Sequence, residues 1–174
     1  NSIDRLEVRG RDSAGISVLF EFDPNDWSAL QKDLGKQGLL PTFQERAERN
    51  ILSNGSLQVD TSNQSTQENR VALAFTYKIA AEIGRLGDIV GFLRNQIKTD
   101  LIFQHAITYT PTNYTISSHT RWASVGAITE SNCHPVDNIA ADNGEPNQGI
   151  IHACLNGDID NYLEMGADLQ RQCD

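Results

Sequence analysis

Apolar and polar positions divide the chain into segments of different period. "AGISVLFEF", Ala14 to Phe22, is rich in β-branched and aromatic residues and closes on "DPND", which predicts a strand ending in a turn. Asp26 is then placed to cap a short helix, "WSALQKDLG", with Gly35 as its stop. "PTFQERAERNIL" predicts a second helix, with Thr42 as cap and Glu45 three residues on completing a capping box. Residues 53–70 hold few apolar side chains and read as an exposed loop. Ile79, Ile83, Leu86, Val90, Leu93 and Ile97 then recur at spacings of three and four, predicting an amphipathic helix. Gly84, Gly87 and Gly91 fall inside it, which implies either close packing or a break. From Thr108 onward the pattern turns to β: "AITYTPTNYTISSHTRWAS" and "GIIHACLNGDIDNY" both read as strands, with Asn156-Gly157 as a turn in the second.

This order gives one mixed domain with strands at both ends and helices between, with neither an internal repeat nor a second domain. A length of 174 residues suits a single hydrophobic core. The net charge of −9 argues against a nucleic-acid or anionic-membrane partner, since either needs a basic face. No apolar run reaches the roughly 20 residues of a membrane-spanning helix. Three cysteines, Cys133, Cys154 and Cys173, cannot all pair within the chain, which fits a reducing cytoplasm. Neither they nor the four histidines have the spacing of a structural zinc site, so no metal and no cofactor is expected.

The chemistry-bearing residues gather near predicted strand ends. Arg121 is a candidate clamp for a carboxylate or phosphate, because its planar fork makes two parallel charge-assisted bonds. The Asn156 carboxamide and the Gly157 amide are neutral donors that a tight turn can aim at one oxygen, as an oxyanion hole requires. On these residues alone, a surface arginine and a plain hairpin turn remain the simpler reading.

Three stretches in order change that picture: "RLEVRGRDSAGISV" (5–18), "SSHTRWASVGAITESNCHP" (117–135) and "IIHACLNGDIDNYLEM" (151–165). Together they resemble the glutaminase domain of glutamine–fructose-6-phosphate aminotransferase, which carries "RLEYRGYDSAG", "HTRWATHG" with "NAHP", and "HNGIIENY". The motifs cover about a third of the chain. The run His119-Thr120-Arg121-Trp122-Ala123 separates this branch from phosphoribosyl-pyrophosphate amidotransferases and asparagine synthetases. The resemblance implies an α+β fold of the N-terminal-nucleophile hydrolase type, a four-layer αββα sandwich. It implies that residues 1–174 are a fragment of a single class II glutamine amidotransferase domain, with a family-atypical insertion within about 23–110.

The implied activity is glutamine hydrolysis, with ammonia passed to a C-terminal sugar-phosphate isomerase domain of the parent chain that makes glucosamine 6-phosphate. A homodimer is a compatible assembly. Residue by residue, Arg121 resembles the arginine that grips the glutamine α-carboxylate, and Asn156 and Gly157 the oxyanion hole. Trp122 resembles the tryptophan that shields the site, and Ser124 stands where the family has a threonine near the substrate. Arg9 and His119 resemble residues that brace the surroundings of the nucleophile. That nucleophile is an N-terminal cysteine whose own α-amino group is the base. Residue 1 here is Asn, so the cysteine is expected upstream and the segment alone is expected to be inactive. Val125 and Leu155 stand where the family has histidines. These departures motivate an alternative, a non-catalytic glutamine-sensing or assembly module that kept the fold.

Overall fold

The computed structural model describes residues 12–49, 51–61, 70–80, 88–122, 127–138 and 149–173. Its elements in chain order are β1 (Ser13–Phe22), α1 (Pro24–Lys36), α2 (Leu40–Ala47), β2 (Leu57–Asp60), β3 (Val71–Ala80), α3 (Asp88–Thr99), α4 (Leu101–Ala106), β4 (Asn113–Arg121), β5 (Val136–Asp137), β6 (His152–Ala153) and α5 (Tyr162–Cys173). The fold is mixed, with an antiparallel four-stranded sheet in the order β2-β3-β1-β4 and a separate two-stranded ribbon of β5 and β6. No helix among the described residues is long and apolar enough to cross a membrane.

Strand alternation gives the four-stranded sheet two unlike faces. On one, Val18, Phe20 and Phe22 of β1 join Leu73, Phe75 and Tyr77 of β3 in the buried core. Helix α1 lays Trp27, Leu30 and Leu34 against this face, one apolar stripe at helical spacing. Helix α3 adds Ile89 and Leu93, and α4 adds Ile102 and Ala106. Phe103 of α4 meets Phe75 edge-on at 5.1 Å and 89°, and Phe20 at 5.9 Å.

The helix junction is tied by an ion pair at the edge of this layer. Arg46 of α2 makes two bonds to Asp100, at 2.9 and 2.6 Å, and Tyr77 donates to the same carboxylate at 2.8 Å. Asp100 also caps α4 by accepting from the Ile102 and Phe103 amides. The guanidinium beside it holds the Asp100 carboxyl below its usual range despite burial.

Several sequence expectations are corrected. The cap of α1 is Asp23, which accepts from the amides of Asn25 and Asp26, and the helix runs through Gly35 to Lys36. Helix α2 starts at Leu40 with no side-chain cap, so Thr42 and Glu45 form no capping box. The polar stretch contains strand β2, held as an edge strand on β3, where half-burial requires few apolar residues. Ile79 belongs to β3, and the described helix begins only at Asp88, because cross-strand pairing with β1 captures residues 71–80. Gly91 sits mid-helix with nothing within 4 Å of where a Cβ would be, so it mediates neither a close contact nor a break; Gly84 and Gly87 lie outside the described residues. The third motif contributes only the two-residue β6. Asn156-Gly157 is not a hairpin turn, and the residues after it lead into α5.

Candidate functional site

The other face of the four-stranded sheet is polar, and the three motifs meet on it. Antiparallel pairing aligns Lys78, Gly15 and His119 in one row across β3, β1 and β4, and Thr76, Ser17 and Ser117 in the next. Glu130, His134, His152 and Cys154 lie over these rows. The cover carries its own polar groups: Lys78 Nζ donates to the Glu130 carbonyl at 3.2 Å, and Ser117 Oγ lies 3.3 Å from Cys154 Sγ.

Gly15 makes the closest approach between the layers. A Cβ there would lie 2.1 Å from the His134 carbonyl oxygen and 3.2 Å from Pro135 Cδ, so only glycine admits the covering chain. Cys133 fixes the same segment from beside it, fully buried, with its thiol toward the Ile79 and His134 carbonyls. Burial pushes that thiol's pKa up, which makes it an inert packing group. Burial likewise pushes the Lys78 ammonium down, opposed by the nearby charges of Asp137 and Glu130.

A relay crosses the layers one row further on. Ser17 Oγ lies 2.5 Å from His152 Nδ1, and His152 Nε2 meets Gln58 Oε1. A carboxamide oxygen only accepts, so Nε2 carries the ring proton and Nδ1 accepts from the Ser17 hydroxyl. The Gln58 amide reaches Asp137 Oδ2 at 3.4 Å, closing the chain back onto the ribbon. Burial, with Lys78 nearby, lowers the His152 pKa to about 4, so the ring is neutral at neutral pH. The group resembles a serine–base pair, but Ser17 is only 3% exposed and faces the covering layer. Its role is to join the layers.

His119 projects from the row of Gly15, its ring 4.7 Å from that of His134 at 68°. Burial pushes the pKa of both imidazoles down, with Arg121 nearby. Arg121 lies two residues further along the same face of β4, half-buried, with Nη1 3.4 Å from the Ala127 carbonyl. His152 sits over Ser17 and Cys154 over Ser117, its partner in the same row, so this part of the third motif crosses from β1 to β4. Trp122 is 75% exposed, and Asn156 and Gly157 are exposed too. Gly157 has φ +143°, a conformation that favours glycine. Arg9 and Ser124 lie outside the described residues.

The structure therefore brings His119, Arg121 and Cys154 to one side of the sheet. It adds residues that sequence reasoning did not single out: His134, His152, Ser17, Gln58 and Lys78. Two had a visible signal. Lys78 interrupts the apolar run "VALAFTYKIA", and Ser17 alternates with the apolar positions of β1, both marking a polar inner face. Among the described residues, no group of three or more His, Cys, Asp or Glu side chains could hold a metal. Comparison with family models, curated proteins and solved structures gives no match.

Proposed function

We propose that the chain is the glutaminase part of a class II glutamine amidotransferase with the N-terminal-nucleophile αββα architecture. It would hydrolyse glutamine to glutamate and deliver ammonia to a sugar-phosphate isomerase domain of the parent protein. The observation that carries this reading is the ordered trio of motifs, together with the contact joining the second motif to the third at Ser117–Cys154. The helix-covered sheet facing a second, two-stranded layer is compatible with the αββα architecture.

In this reading Arg121 binds the glutamine α-carboxylate and Trp122 shields the site. The thiolate of an upstream N-terminal cysteine attacks the side-chain amide carbon. The Asn156 carboxamide and the Gly157 N–H hold the resulting oxyanion. The nitrogen leaves as ammonia after protonation, and water then hydrolyses the thioester to glutamate. The replacements Val125 and Leu155 favour a second reading, a glutamine-binding module without turnover.

Calorimetric titration with L-glutamine tests both. Binding is expected, with Arg121→Lys weakening it by roughly 1.5–3 kcal/mol, because lysine cannot make the bidentate contact. No binding by the unmodified chain would sink both readings. Ammonia release by the parent protein, abolished by a cysteine-directed glutamine analogue, selects the enzyme; binding without release selects the module.

A further inference from the structure

The sequence holds three Asn-Gly pairs, at 54–55, 143–144 and 156–157, of which the second lies outside the described residues. The other two have opposite surroundings. At the first, the polar groups are engaged from every side. Asn54 Nδ2 donates to Gln96 Oε1 at 3.1 Å, Oδ1 accepts from the Lys78 amide, and the Asn54 amide donates to Glu130 Oε2. The Asn54 carbonyl accepts from Arg49. The Gly55 N–H donates to the Thr76 carbonyl at 2.9 Å, and the Gly55 carbonyl accepts from Arg46 Nε.

The last pair is held by none of this. Asn156 and Gly157 are exposed, lie outside any strand or helix, and take part in no hydrogen bond among the described residues. Nothing stands within 4 Å of where a Cβ on Gly157 would be, so the surroundings are open.

An asparagine followed by glycine carries a reaction within itself. The Gly157 main-chain nitrogen, having given up its proton, attacks the Asn156 side-chain carbonyl carbon. A new C–N bond closes an imide ring, and the carboxamide nitrogen takes a proton and leaves as ammonia. Water then opens the imide. Attack at the side-chain carbonyl gives aspartate; attack at the main-chain carbonyl gives isoaspartate, whose backbone runs through the former side chain. One water is consumed and one ammonia released, with no oxidant or cofactor. Glycine matters because a side chain there would crowd the attacking nitrogen. The carboxamide must also turn against the following amide, which the hydrogen bonds prevent at Asn54 and nothing prevents at Asn156.

We propose that Asn156-Gly157 is a modification site at which the chain deamidates spontaneously, converting a neutral donor into a carboxylate. The consequence for catalysis rests on the glutaminase reading, in which these two residues hold the oxyanion. Aspartate there repels the developing charge, and isoaspartate lengthens the main chain and displaces the Gly157 N–H. The site thus switches itself off with age.

Incubating the chain in neutral and mildly alkaline buffer, with peptide mass spectrometry over time, compares the two pairs directly. Asn156 is expected to deamidate at least about tenfold faster than Asn54, whose hydrogen bonds must open first. Aspartate and isoaspartate should both form at position 156, faster at the higher pH. In urea the two rates should converge. Equal rates in the folded chain overturn the proposal, as does a difference that survives unfolding, because the local sequence alone would then set it. Gly157→Ala should slow the loss of Asn156, and an unaltered rate would overturn the imide route. Ammonia release from L-glutamine by the parent protein separates the two levels of the reading. A fall in step with the loss of Asn156 supports both. Rapid loss of Asn156 with unaltered or absent release upholds the modification site and overturns the role of Asn156 in the glutaminase reading.

Discussion

The two faces of the four-stranded sheet are built from the same strands and held by opposite means. On the helix-covered face, large apolar and aromatic side chains pack into a continuous core, and most of the stabilisation is non-directional burial. On the ribbon-covered face, the inner positions of β1 are Ser13, Gly15 and Ser17. There the layers are joined by a relay, a buried lysine and a main-chain contact into a glycine gap. An apolar face tolerates changes that keep its volume. A polar face held by directional contacts does not, because each unpaired group is costly once buried. That intolerance also makes the polar face able to hold donors at fixed positions, as a binding site requires.

Glycine substitution should separate the faces most sharply. Gly15→Ala forces a methyl group against the His134 carbonyl, and the backbone must move by about an ångström to admit it. A loss of at least about 3 kcal/mol is expected, the upper end of overpacking effects, read from urea unfolding. A loss under about 1 kcal/mol would show that the covering segment does not sit in the gap.

Acid should weaken the polar face next. His152 has a folded-state pKa of about 4, below the ordinary 6.5, so the unfolded chain binds the proton more readily. The contribution is complete above pH 6.5, fades as pH falls through the window, and is gone below about 4. Its size is roughly 2–3 kcal/mol, and His152→Gln should flatten most of that slope in pH-dependent unfolding. An unchanged slope would mean that His152 is hydrated and the relay open.

The smallest effect has the opposite sign. Gly91→Ala in α3 meets nothing within 4 Å and should stabilise by about 0.5–1 kcal/mol through helix propensity, measured as a raised urea midpoint. The same substitution thus lowers stability on one side of the sheet and raises it on the other. Destabilisation by Gly91→Ala would mean that α3 has a neighbour on its outer side.

Legibility followed the range of the determining interactions. β1 was readable because "AGISVLFEF" states its β propensity within nine residues, and its observed bounds differ from the expectation by one residue. β3 was misread at Ile79 because the period of three and four holds locally, whereas pairing with β1 comes from distant residues. β2, with its half-polar "LQVD", has almost no local signal and exists as a strand because β3 is beside it. At the candidate site, the sequence singled out His119, Arg121, Trp122 and Asn156-Gly157 as motif residues. It could not show that His134 lies on His119, or that His152 reaches Ser17 across a separation of 135 positions.

The sequence by itself determined the mixed class, the first strand and the residue types able to bind an amino acid's carboxylate and an oxyanion. These are set by local periodicity and by the chemistry of single side chains. Only the tertiary structure decided which face of the sheet is polar, that Gly15 opens a gap for His134, and that the His119 and His134 rings meet. Those features are distances between residues far apart in the chain, which exist only once the layers have packed.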